Sequence, residues 1–99
     1  MISIKVHKSC RGVVGICDSN LIGKTFEEDK YQLDAKENFF KGDEFNEEEA
    51  INIMRDLLRE DATFNIIGPE SVNAALKAKI IDETGVGKIK EIPFALILL

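Results

Sequence analysis

The chain has 99 residues, 44% of them apolar and 31% charged, and a net charge of −5 at pH 7. These values are typical of one folded domain over residues 1–99 with a single core, and they exclude a disordered chain. No apolar run approaches the roughly 20 residues of a membrane-spanning helix, and no signal-peptide pattern is present. We therefore expect a cytoplasmic protein that does not contact membranes.

The N-terminal residues predict two strands joined by a polar loop. Ile2, Ile4 and Val6 alternate with polar residues, which is the period of a half-buried strand. A loop over residues 8–12 and a nearly all-apolar strand over residues 13–17 follow. The two strands should form an antiparallel hairpin.

A loop, a short strand and a turn are predicted next. Residues 18–26 begin with turn-forming side chains and read as the loop. Alternation over residues 31–34 favours a short third strand. Residues 37–42 read as a tight turn whose rings, Phe39 and Phe40, pack into the core. Base stacking by these rings is the alternative, but acidic neighbours disfavour it.

The clearest helix is predicted to begin after Asn46. Asn46 can cap it, and Glu49, three residues later, completes a capping-box pattern. The apolar positions fall at helical spacing and give one buried stripe. They are Ala50, Ile51, Met54, Leu57 and Leu58.

The C-terminal part predicts a strand, a second helix and further strands. Residues 62–67 read as a buried strand, and Pro69 fits the first position of a helix. A loop over residues 82–87 follows, and Pro93 should break the chain before a final apolar run. That run is apolar on both faces, so we expect it to lie centrally in the sheet or against a partner subunit.

This order of elements predicts an α+β fold. We expect a two-layer sandwich with a mixed sheet of about five strands and two helices packed on one face.

The sequence resembles a phosphate-binding loop at Gly23, Lys24 and Thr25, but the match fails. The first glycine of that motif would fall at Asp18, whose carboxylate would repel phosphate, and no helix is predicted to follow. A zinc site is equally disfavoured, because the chain offers only His7, Cys10 and Cys17 as ligands. The two cysteines should be free thiols, and we predict no cofactor, no metal and no catalytic residue.

Two surface sites remain as candidates. The candidate interaction loop consists of Asp18, Asn20, Gly23 and Lys24, where the first two would fix the turn, Gly23 would permit an unusual backbone angle and Lys24 would present a cation. The candidate basic patch consists of Lys5, Lys8, Arg11 and Lys24.

The order of segments resembles an archaeal family catalogued as domain of unknown function 424. The residues that carry the resemblance are Ile16, Cys17, Asp18, Leu21, Ile22, Gly23, Lys24, Thr25, Phe26, Phe39, Phe40, Lys41, Gly42, Glu47, Glu48, Glu49, Ala50, Asn65, Ile66, Ile67 and Gly68. The resemblance implies a two-layer α/β fold, a cytoplasmic archaeal setting and no established activity. The chain departs from the family at Lys79, where a glycine is common, and at residues 94–96, which are apolar here.

Three functions are compatible with these features. The first is a small non-enzymatic interaction module, either a homodimer or an accessory subunit of a larger assembly. The second is an RNA- or ribosome-associated protein that uses the candidate basic patch. The third is an enzyme of unknown class.

Overall fold

The computed structural model describes residues 1–7 and 12–97. The strands are β1 (Ile2–His7), β2 (Val13–Asp18), β3 (Thr25–Glu28), β4 (Tyr31–Asp34), β5 (Asp43–Phe45), β6 (Thr63–Ile67), β7 (Gly87–Ile89) and β8 (Ile92–Ile97). The α-helices are α1 (Glu37–Phe40), α2 (Glu47–Arg59) and α3 (Pro69–Ala78). Short 3-10 turns occupy residues 19–21 and 83–85.

Six of these strands form one mixed sheet in the order β5-β1-β2-β6-β8-β7. β1 and β2 are antiparallel, which confirms the predicted hairpin, and β2 and β6 are parallel. β3 and β4 form a separate antiparallel pair. The α+β class is confirmed. The sheet has six strands where about five were expected, because β5 lies in a region predicted as turn. The predicted third strand, β4, lies outside this sheet and pairs with β3.

The main core lies between one face of the sheet and helices α2 and α3. Inward side chains of the strands, such as Ile16, Phe64 and Ile66, are fully buried there against Met54 of α2 and Ala74 of α3. The start of α2 is as predicted: Asn46 and Glu49 form a reciprocal capping box. α3 likewise begins at Pro69, as predicted. Hydrophobic burial on this face is the largest stabilising contribution to the fold.

The opposite face of the sheet carries α1 and the β3–β4 hairpin. A second apolar cluster forms there around Cys17, Phe40 and Ile67, with Leu33 of β4 packed against it. The predicted turn over residues 37–42 is thus a one-turn helix. Phe40 is buried, as expected, whereas Phe39 is only half-buried. α1 and the β3–β4 hairpin cover this face only in part, and they leave Asn65 of β6 and Leu96 of β8 uncovered. We call the uncovered part the open face.

Pro93 lies inside β8, so the predicted break at this residue is wrong. The Pro93 carbonyl accepts a hydrogen bond from Gly68 N–H at 2.9 Å. The position tolerates proline because the Gly68 carbonyl accepts from Val72 N–H at 2.9 Å and so needs no donor from Pro93. The final apolar run does join the sheet next to β6, but Leu96 keeps 55% of its surface exposed.

Within the part of the chain that the structure describes, no helix is long and apolar enough to cross a bilayer.

Candidate functional site: an apolar groove on the open face

An apolar cavity with a volume of about 390 Å³ lies on the open face, and we call it the groove. Asn65 and Ile67 of β6 and Phe94 and Leu96 of β8 line its floor. Leu33 of β4 and the rings of Phe39 and Phe40 form its walls, and Asp34 and Lys36 stand at its rim. The groove is within the size range of roughly 300–1,000 Å³ that is usual for ligand sites.

The side chains of the floor follow from the period of the strands. Alternate residues of a strand point to opposite faces, so Phe64 and Ile66 enter the main core while Asn65 points to the open face. Among the described residues of the groove lining, Asn65 is the only one with an uncharged polar side chain. Within residues 1–7 and 12–97, no group forms a hydrogen bond with its amide. A bound molecule can therefore use that amide as donor and acceptor.

The wall made by α1 is fixed to the sheet by polar residues of β1. Ser3 Oγ donates to the Phe40 carbonyl at 2.9 Å and accepts from Gly42 N–H at 2.8 Å. Lys5 Nζ donates to the Asn38 carbonyl at 2.9 Å. These bonds satisfy main-chain groups at the end of a helix that is too short to satisfy them itself.

His7 completes this attachment. Its ring stacks on Phe39 with 4.5 Å between centroids, and its Nε2 lies 2.8 Å from the Phe39 carbonyl. The sequence prediction placed His7 on the polar face of β1 as a surface side chain. That face is covered by α1. The sequence did not predict this, because a one-turn helix is too short to show a hydrophobic period.

Asp18 of the candidate interaction loop is buried, and its side chain forms hydrogen bonds inside the protein. Its carboxylate accepts from Glu70 N–H at 3.1 Å, Ser71 N–H at 2.8 Å and Ser71 Oγ at 2.7 Å. The helix cap position itself is Gly68, which has no side chain and a φ of +113°. A Cβ on Gly68 would overlap the Asp18 carboxyl group. Asp18 therefore caps α3 from a distant strand.

The other residues of the candidate interaction loop lie at the surface. Asn20 and Lys24 are exposed, and Gly23 has a φ of +87°, the unusual angle that glycine was expected to permit. The structure thus separates the four residues into a buried cap and an exposed turn.

The candidate basic patch is described only in part. Lys8 and Arg11 lie outside the described residues. Lys5 is bonded to Asn38, and the loop before Lys24 approaches the Glu37 carboxylate at Gly23. The described members of the patch therefore lie beside α1, in the vicinity of an acidic side chain.

The described residues contain no group of three or more His, Cys, Asp and Glu side chains able to hold a metal ion. His7 and Cys17 lie at opposite ends of the β1–β2 hairpin, because His7 pairs with Val13 and Ser3 pairs with Cys17. Four residues of strand separate them by roughly 13 Å. Cys10 falls outside the described residues.

The Cys17 thiol is fully buried, and burial raises its pKa from an ordinary 9.0 to about 12, with the nearby Asp18 charge adding to the effect. Above pH 9 the unfolded thiol ionises while the folded thiol keeps its proton. Unfolding then releases a proton, so this group lowers stability as the pH rises from 9 towards 12.

We expect the Cys17 thiol to react with a thiol reagent only after unfolding. In a Cys10→Ser variant, where Cys17 is the sole thiol, the reagent should stay unconsumed by native protein at pH 9 and react with one equivalent in denaturant. Rapid reaction of the native protein would contradict the burial of this residue.

Comparison with known proteins places the chain in a family. A family described as "Protein of unknown function (DUF424)" matches residues 7–99. The chain belongs to this family. This match confirms the resemblance to domain of unknown function 424 that the sequence motifs indicated. The chain has no significant match among curated proteins.

A solved structure shows the same fold. It is an uncharacterized conserved protein from Methanopyrus kandleri, with 19% identity and a TM-score of 0.86 over 97% of this chain and 89% of the other. Since the identity is low, this similarity extends to the fold alone.

Proposed function

We propose that this DUF424 protein is a non-enzymatic interaction module or accessory subunit that binds a partner polypeptide in the groove. In this proposal the expected two-layer sandwich, the sheet with α2 and α3 on one face, is the core of the molecule. The layer of α1 and the β3–β4 hairpin covers part of the other face, and the open face is left for the partner. The occupant is a linear segment of another protein that inserts one large apolar side chain between α1 and β8.

The chemistry of the groove lining carries this proposal. Phe39, Phe94 and Leu96 present aromatic and aliphatic surface that the fold itself leaves partly uncovered. Concentrated apolar surface in a concave patch is typical of protein-binding sites, because its burial by a partner is favourable at roughly 25 cal/mol per Å².

The rim of the groove favours a polypeptide over a phosphate-bearing ligand. Asp34 and Lys36 have opposite charges, and neither forms a salt bridge within residues 1–7 and 12–97. Asp34 offers a hydrogen-bond acceptor, Lys36 offers a donor, and the Asn65 amide offers both. This set complements the N–H and C=O groups of a main chain.

The attachment of α1 makes the groove a preformed site. Ser3, Lys5 and His7 hold three successive carbonyls of α1, those of Phe40, Asn38 and Phe39 respectively. A wall fixed in this way loses little conformational freedom when a partner binds. RNA binding through the candidate basic patch has less support, because Lys5 is bonded to the Asn38 carbonyl and the chain carries a net charge of −5.

The proposal predicts that a randomised peptide library yields specific binders. Selected peptides should share one large apolar residue within polar flanks, and their affinity should fall at least tenfold when Asn65→Phe fills the groove. Fluorescence anisotropy of a labelled peptide measures this change. The phenyl ring of this variant would lie among the side chains of the floor and occupy the space that a bound apolar side chain needs.

Asn73→Phe is the matched control for this experiment. Asn73 is an exposed asparagine on α3, on the other side of the sheet, so the same substitution there leaves the groove open. Binders whose affinity is equal for the two variants, or a library without any binder, would refute the groove as a protein-binding site. Circular dichroism confirms that both variants are folded.

A further inference from the structure

A second, smaller pocket lies beside α1, and we call it the side pocket. Its volume is about 250 Å³, below the roughly 300–1,000 Å³ that is usual for a whole ligand, so its size suits a single side chain. The polar residues of its lining are Ser3, Ser19, Glu37, Lys41 and Glu44.

The groove and the side pocket lie on either side of α1. The side pocket lies over β1 and β5, because Ser3 and Glu44 are opposite each other in these paired strands. The groove lies over β6 and β8, and β2 runs between the two pairs of strands. Within α1, Glu37 lines the side pocket, whereas Phe39 lines the groove. The middles of the two strand pairs are three strand spacings apart, which is roughly 14 Å.

The side pocket carries an excess of negative charge. Glu37 and Glu44 supply two carboxylates, and Lys41 supplies one ammonium group. Lys41 Nζ lies 3.5 Å from Glu37, but both side chains are largely exposed, so this pair is weak. Glu44 forms no salt bridge within residues 1–7 and 12–97, and it follows a second exposed carboxylate, that of Asp43. A cationic side chain therefore complements this pocket.

The side pocket also contains a hydrogen-bonding group that the fold does not use. Ser19 N–H donates to the Met1 carbonyl at 3.0 Å, whereas the buried Ser19 Oγ has no hydrogen-bond partner among the described residues. By contrast, Ser3 Oγ bonds to both the Phe40 carbonyl and Gly42 N–H. A buried hydroxyl without a partner is unfavourable in the free protein. The N–H groups of a bound guanidinium or ammonium can donate to it.

We propose that the polypeptide bound in the groove continues across α1 and places an arginine or lysine side chain in the side pocket. This inference rests on the proposed function and adds the charge of the partner and the spacing of its two anchoring residues. An extended chain advances roughly 3.4 Å per residue, so a separation of roughly 14 Å corresponds to about four residues. The basic residue of the partner is therefore about four positions from its large apolar residue. The net charge of −5 attracts such a basic segment at longer range as well.

The peptides selected from the randomised library test the inference by their sequences. Those whose binding Asn65→Phe weakens should carry a basic residue about four positions from the shared apolar residue. Replacing that basic residue with glutamine in the best peptide should lower its affinity for the wild-type protein about fivefold at low salt. Fluorescence anisotropy of the two labelled peptides measures this preference.

Glu44→Gln determines whether the preference comes from the side pocket. The variant removes one negative charge and keeps the size of an exposed side chain, so its preference for the basic peptide should fall to about twofold or less. Glu48→Gln is the matched control. It changes the net charge equally, at an exposed position of α2 on the other face of the sheet, and should keep the full preference.

Three results would overturn this inference and leave the groove as a protein-binding site. They are groove-binding peptides without a basic residue at this spacing, a preference that Glu44→Gln leaves intact, and a preference that Glu44→Gln and Glu48→Gln reduce equally. A library without any binder would overturn the groove and the side pocket together.

Discussion

Replacing Asp18 with alanine should lower the free energy of unfolding by roughly 3 kcal/mol, as measured by urea denaturation. The carboxylate accepts three hydrogen bonds from Glu70 and Ser71 at the start of α3. Without it, two N–H groups and one hydroxyl are left without a partner in a site that is 1% or less exposed at Asp18 and Ser71. The positive end of the α3 dipole is also left uncompensated.

Two further variants determine whether the effect belongs to the cap. Asp18→Asn keeps an acceptor oxygen and the volume of the side chain, so it should lose roughly half as much. Glu28→Ala removes a carboxylate from the exposed strand β3 and should change stability by less than about 0.5 kcal/mol. Equal effects of Asp18→Ala and Glu28→Ala would show that α3 is not capped by Asp18.

Gly15→Ala should lower the free energy of unfolding by roughly 1–3 kcal/mol and impair peptide binding as well. A Cβ on Gly15 would lie 2.5 Å from the Phe39 carbonyl and 3.0 Å from its ring. The clash is with main chain, so α1 must move away from the sheet. Because α1 forms a wall of the groove, stability and binding should be lost together.

Gly12→Ala is the matched control for this prediction. Among the residues that the structure describes, a Cβ on Gly12 would meet only the Ala62 side chain, at 3.8 Å, which is an ordinary contact. This variant should keep the stability and the binding of the wild-type protein, or gain slightly in stability from a less flexible unfolded chain. Loss of stability in Gly12→Ala similar to that in Gly15→Ala would mean that α1 does not pack on Gly15 as described.

The elements with strong local signals were predictable from the sequence. Alternation at Ile2, Ile4 and Val6 predicts β1, and the pair of Asn46 and Glu49 predicts the start of α2. In each case, the residues that determine the element lie within a few positions of it. The family resemblance rests on short motifs of the same local kind.

The elements that depend on distant contacts were not predictable. Asp18 occupies the first position of a turn in the sequence, but its partners lie more than 50 residues later, in α3. Ser3 and His7 look like the solvent face of a strand, but they hold α1. Polarity predicts exposure only when no polar partner is available, and distant main-chain groups supply partners that a local pattern does not reveal.

The groove was likewise not predictable as a site. Its lining comes from β4, α1, β6 and β8, which are spread over more than 60 residues, and Phe39 and Phe94 were both assigned to buried segments. The apolar residues of the lining are ordinary core residues by type. The groove arises because the layer formed by α1 and the β3–β4 hairpin does not reach the ends of β6 and β8.

The most direct test of a partner-binding groove is an NMR titration of the 15N-labelled protein with the best peptide from the library. Binding in the groove predicts that the largest amide shift changes occur at Leu33, Phe39, Asn65 and Phe94, while those of α2 stay small. Changes centred on α2 or α3, with the amides of the groove unaffected, would contradict it.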